Sequence, residues 1–122
     1  MEVTERVKPM RVTDVETGRE YILDFTRETV AIAESRGFKW SDMTDDEKIA
    51  IPLPIIWHTA FLRYEPRIGM AKTNKLLEDA GGIQPKQIAR LKALYEQALS
   101  SLVADDTEDG NTKNGKVTVT LD

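Results

Sequence analysis

The sequence predicts a mainly α domain of four to five packed helices, with a small N-terminal β-hairpin and a C-terminal β-strand on a flexible tether. Three observations predict it. Ile88, Leu91, Leu94, Tyr95, Ala98, Leu99 and Leu102 recur at helical spacing over about five turns, a continuous apolar stripe. "MRVTDV" and "REYILDF" flank the turn sequence "ETG" near the N-terminus. The chain closes on "KVTVTLD", where Val117, Val119 and Leu121 alternate with polar residues as strand residues do.

The elements follow in order. Residues 1–9 form an N-terminal arm, and the hairpin opens the domain of residues 10–103. Gly18 supplies its turn, and Tyr21, Leu23 and Phe25 fall on one face of the second arm. Two strands alone are marginal in water, so the hairpin must lie on something. A helix follows, with Thr26 as N-cap, Glu28 in the first turn and Gly37 as its stop. Phe38 and Trp40 stand just beyond that stop, placed to fold back. Thr44 and Glu47 have the spacing of a capping box, which predicts a short helical turn over "TDDEKIA".

Pro52 and Pro54 are tolerated only in a first helical turn, so the next helix starts there and is expected to run to Pro66. Leu53, Ile56, Trp57, Ala60, Phe61 and Tyr64 share one of its faces, and Ile55 and Leu62 lie off it. A helix apolar over more than half its circumference is either central to the fold or half of an oligomer contact. A third helix fits "MAKTNKLLEDA", closed by Gly81-Gly82, and the fourth begins near Gln84-Pro85. Residues 104–116 read as an acidic flexible tether and 117–122 as the C-terminal strand.

Charge and composition narrow the function. The chain of 122 residues carries a net charge of −4 and no cysteine. Residues 105–122 hold five acids against two lysines, so that segment carries −3 and the other 104 residues only −1. A near-neutral body with an acidic tether is a poor match for a nucleic-acid backbone and suits a protein partner better. Without cysteine there is no disulfide frame, thiolate metal site or cysteine nucleophile, and a cytoplasmic location is expected. No apolar run is long enough to span a membrane, and "MEVTERVKPM" lacks the apolar stretch of a signal peptide.

No residue constellation points to catalysis. His58, the single histidine, has Pro54, Ile55, Phe61 and Leu62 at the neighbouring helical positions, so neither a nucleophile nor an orienting carboxylate is supplied there. It reads as a core or interface histidine. Asp42, Asp45, Asp46 and Glu47 lack the alternation and glycine of a calcium loop and read as helix-start acids. Catalytic, cofactor-binding and metal-binding residues are therefore expected to be absent. Trp57, Phe61 and Tyr64 are core aromatics or, as the functional alternative, anchors for a partner. "TNKLLEDAGGIQPKQIARL" also has the helix–turn–helix arrangement of small DNA-binding regulators, with Gln84, Lys86, Gln87 and Arg90 on the second helix. The neutral body and the long amphipathic second helix count against it.

The order of motifs resembles a known family. "GREYILDFTRETVAIAESRGF", "AKTNKLLEDAGGI", "RLKALYEQALSSLV" and the terminal "KVTVTLD" are similar to tail assembly chaperones of long, flexible-tailed bacteriophages of Gram-positive hosts, over roughly residues 10–121. The resemblance implies a protein that binds the tape-measure protein, helps tail-tube protein polymerise around it in the host cytoplasm, and is absent from the mature virion. It implies no catalytic or cofactor residues. A tail-completion or connector adaptor is the alternative within viral morphogenesis. The tethered strand, with Val117, Val119 and Leu121 as contact residues, is expected to pair with the hairpin edge in cis, or in trans with another subunit or a client. The trans pairing gives a homo-oligomer. A tether of about 12 residues spans roughly 20 Å, enough for either.

Overall fold

The computed structural model describes residues 6–100. Strands β1 (Met10–Asp14) and β2 (Arg19–Leu23) form an antiparallel pair in which Met10 faces Leu23 and Asp14 faces Arg19. Four helices follow: α1 (Arg27–Ser35), α2 (Pro52–Phe61), α3 (Met70–Asp79) and α4 (Pro85–Leu99). A 3-10 turn at Trp40–Thr44 separates α1 from α2. The chain is thus mainly α with an N-terminal hairpin. The C-terminal strand expected at 117–122 and the tether expected at 104–116 lie outside the described residues.

Local chemistry explains the boundaries. At the hairpin turn Gly18 takes a φ of +75° and donates its N–H to the Asp14 carbonyl at 2.7 Å. Thr26 caps α1: its hydroxyl accepts the Thr29 N–H at 3.2 Å, and the Thr29 hydroxyl accepts the Thr26 N–H at 2.8 Å. Pro52 stands at the first position of α2 and Pro85 at that of α4, where a missing N–H costs nothing.

α2 is the central helix, touching β2, α1, α3 and the 3-10 turn, while α4 packs across α1. Ile56, Trp57, Ala60 and Phe61 point into the core with Tyr21, Leu23 and Phe25 of the hairpin region, Val30 and Ala33 of α1, and Leu91 and Leu94 of α4. Phe38 and Trp40 do fold back, and they meet Tyr95 of α4. The ring centroids lie 5.9 and 5.4 Å from that of Tyr95, and Phe25 contacts the same ring at 5.4 Å.

Two expectations are corrected. α2 ends at Phe61 rather than continuing to Pro66. The proline ring would collide with the carbonyl four residues earlier, so the chain tightens instead, with Leu62 N–H bonding Thr59 and Tyr64 N–H bonding Phe61. Nor does the Thr44–Glu47 capping box form. The Thr44 hydroxyl donates to the Ser41 carbonyl, and the Asp45 carboxylate accepts the Glu47 N–H at 2.9 Å. The short turn itself forms over residues 46–51, with the Asp45 carbonyl accepting from the Lys48 and Ile49 N–H groups at 2.9 and 3.0 Å, and Asp45 rather than Thr44 caps it.

Candidate functional site

The polar chemistry of the molecule is concentrated where the hairpin is fastened to the helices, and that fastening decides which edge stays open. On the β2 side, Asp24 donates its N–H to the Ala60 carbonyl at 3.0 Å and pairs its carboxylate with Arg63 at 2.8 Å. Arg19 reaches Glu65 at 2.6 Å. These contacts lock β2 to the end of α2. From the turn end, Asp14 accepts a hydrogen bond from Lys72 of α3 at 2.9 Å. Lys72, reinforced by the Glu16 N–H, holds the buried Asp14 carboxyl below its ordinary value of 3.8, and Asp14 in turn raises the Lys72 ammonium above 10.5.

Among the described residues β1 is left with one side unpaired. Within those residues the sheet has two strands, and no backbone group of Met10–Thr13 bonds to anything except β2. In an antiparallel pair, alternate residues turn their N–H and C=O groups away from the partner strand, so β1 presents a row of free donors and acceptors. A groove runs along this edge in three adjoining clefts. At one end Pro9–Arg11 face Lys86, Gln87 and Arg90 around about 430 Å³. In the middle Met10–Thr13 face Ala80–Gln84, with Trp57 at the floor, around about 280 Å³. At the far end Val12–Glu16 face Leu76, Asp79 and Ala80 around about 290 Å³. The far wall depends on Gly81 and Gly82, whose φ values of +79° and +98° let the chain turn from α3 into α4.

The residues read from sequence as partner anchors part company. Trp57 is 3% exposed and Phe61 fully buried; they stack edge-on at 5.4 Å, and Phe61 meets Tyr21 at 5.5 Å. Trp57 also donates its indole N–H to the Thr73 carbonyl at 2.7 Å, pinning α2 to α3. These two are packed in the core, the first of the two readings taken from the sequence. Tyr64, beyond the end of α2, is 47% exposed, with the Arg63 guanidinium 5.2 Å from its ring centre. Val117, Val119 and Leu121 lie outside the described residues.

His58 is buried with both nitrogens engaged. Nε2 meets the Ile68 carbonyl at 2.8 Å, so it carries the proton; Nδ1, 2.8 Å from an Arg36 guanidinium nitrogen, accepts. Its role there is to tie α2 to the loop before α3 and to the end of α1. Among the described residues no cluster of His, Asp or Glu is placed to hold a metal ion, and no helix is long and apolar enough to cross a membrane. Of the proposed DNA-reading residues, Gln87 caps the Gln84 N–H at 2.7 Å and Arg90 donates to the Lys8 carbonyl at 3.1 Å, so both are turned onto their own chain.

A family described as Domain of unknown function (DUF5055) matches residues 5–121. The chain belongs to that family. No curated protein and no solved structure matches it. Membership in the DUF5055 family embraces the hairpin, all four helices and the C-terminal segment together, so the open edge of β1 and the residues 101–121 belong to one family unit.

Proposed function

We propose that this protein is a tail assembly chaperone of a long, flexible-tailed bacteriophage. It holds extended segments of the tape-measure protein and assists tail-tube assembly in the host cytoplasm, and it leaves before the virion matures. The open β1 edge and its groove are the observation that carries this reading. A free edge captures extended polypeptide through main-chain hydrogen bonds, with little demand on client side chains. A groove of mixed polar and apolar lining makes contacts weak enough to release. The order of sequence motifs supports the same assignment.

Co-expression with the long, helix-rich gene product encoded immediately downstream is the direct test. The client is expected to be soluble and to co-purify with this chain, while mass spectrometry of purified virions is expected to lack the chain. Client recovery unchanged by the protein would refute the chaperone reading. A chain retained in virions would identify a tail-completion or connector adaptor instead.

A further inference from the structure

We propose that residues 116–121, "KVTVTL", add to the free edge of β1 as a third strand of the same molecule's sheet. The proposal concerns the same edge as the assembly reading: the segment covers that edge until a client displaces it, and the covered state is tested without any client.

Four observations support it. The first is the free edge itself, with the groove alongside it. The second is pattern. Met10 and Val12 lean on the core while Arg11 and Thr13 are exposed. A segment in which Val117, Val119 and Leu121 alternate with Thr118 and Thr120 matches that division residue for residue, placing its aliphatics over the groove floor and its threonines beside Arg11 and Thr13.

The third is reach. α4 leads away from the groove: Gln87 lines it beside Met10, whereas Gln97, ten residues on, binds the Val7 N–H at 2.6 Å. The return path from Ser100 to Gln87 therefore runs 13 residues back along the helix, about 20 Å at helical rise. Sixteen residues separate Ser100 from Val117, and a chain of that length spans about 20–24 Å on average. A linker whose mean span equals the gap gives its segment an effective concentration in the millimolar range, which favours the molecule's own edge over a neighbour's. The fourth is charge. The end of the groove nearest that path is lined by Lys86 and Arg90, together with Arg11, which is paired to Glu20 at 2.8 Å, and the linker that follows Ser100 carries Asp105, Asp106, Glu108 and Asp109.

The chain lacks cysteine, so a disulfide scan in the full-length protein is clean. Thr13→Cys is combined in turn with Lys116→Cys, Thr118→Cys and Thr120→Cys, and the products are oxidised in dilute solution without client. Adjacent strands place facing Cα atoms within disulfide range. One pair closing within the monomer is the expected result. Crosslinks only between molecules would overturn the proposal in favour of strand exchange, and failure of all three pairs would overturn it outright. As a second readout, Thr118→Pro and Val119→Pro are made separately in the full chain, since one of two adjacent residues points its N–H at β1 in either register, and both leave residues 6–100 untouched. Outward-facing β1 amides should then exchange hydrogen about tenfold faster in at least one of them, the loss of two or three cross-strand contacts. Unchanged exchange in both would count against the strand even where the client pull-down succeeds.

Discussion

Phe61→Ala separates the two roles that aromatic residues can play in a binding protein. Phe61 is fully buried at the C-terminal end of α2, edge-on to Trp57 at 5.4 Å and to Tyr21 at 5.5 Å. Truncating such a ring costs the transfer free energy of the lost atoms plus the cavity left behind, together about 3–5 kcal/mol. Each edge-on ring contact adds ~0.5–1.5 kcal/mol beyond burial, and two are lost here, so the upper half of that range is expected. A domain of this size has a total stability of about 5–15 kcal/mol. A loss of about 4 kcal/mol lowers the thermal midpoint by roughly 15–30 °C. Urea or thermal unfolding of the full chain, followed by circular dichroism, reads this directly. Tyr64→Ala is the internal control. Its ring is half exposed and stands outside the core, so it should shift stability by less than about 0.5 kcal/mol. A Phe61→Ala protein unfolding within about 1 kcal/mol of wild type would refute the central placement of α2. It would return Phe61 to the surface.

Further outcomes follow from the polar contacts. His58→Phe strands the Ile68 carbonyl and the Arg36 guanidinium contact and should cost ~1–3 kcal/mol in urea unfolding. Gly82→Ala meets no atom within 4 Å, so its cost is the backbone alone, about 1–2 kcal/mol for a φ of +98°. Asp14 has a lowered carboxyl, so its pairing stabilises the fold above pH 3.8 and is lost as the pH falls through the lower folded value. Lys72 is raised, so its share is intact below pH 10.5 and is lost above it; Asp14→Asn should flatten both limbs of the stability–pH curve. Tyr95, raised to about 12 by burial and by the Glu34 carboxylate, favours folding below pH 10 and loses that contribution as the pH climbs toward 12. Its phenol absorbance should titrate only there.

What could be read from sequence was set by local chemistry. Thr26 as a cap, Gly18, Gly37, Gly81 and Gly82 as turns, and Pro52 and Pro85 as helix starts all depend on a few neighbouring residues, and each stands where expected. The stripe of α4 was legible for the same reason, with Leu91, Leu94 and Tyr95 buried. The failures are competitions between local options. Thr44 had two acceptable partners and took the Ser41 carbonyl; the apolar face of α2 ran on past Phe61, while the clash at Pro66 ended the helix earlier. The open edge of β1 had no signature in "MRVTDV". Which edge of a hairpin stays free depends on distant residues, here Arg63, Glu65 and Lys72, that fasten the other strand and the turn.

That fastening bears on how this protein grips anything. Its large aromatics are committed to its own interior: Trp57 and Phe61 to the α2 core, Phe25, Phe38, Trp40 and Tyr95 to a second ring cluster across α1 and α4. Tight interfaces are usually anchored by such residues seated in a partner's pockets. Among the described residues, the exposed large apolar side chains are Val15, Ile32, Ile51 and Tyr64, spread over four separate segments. A surface built this way offers few hot spots, so strong binding has to come from the backbone, and β1 is the segment with backbone groups to spare. Main-chain pairing tolerates many sequences and adds up in small increments per residue. Charging that edge should therefore disturb binding more than removing any exposed side chain. Val12→Asp places a carboxylate on the groove floor beside Met10, where it opposes an incoming aliphatic strand, and Tyr64→Ala does not. If Tyr64→Ala abolished client capture and Val12→Asp spared it, recognition would run through the exposed ring and not through the strand edge.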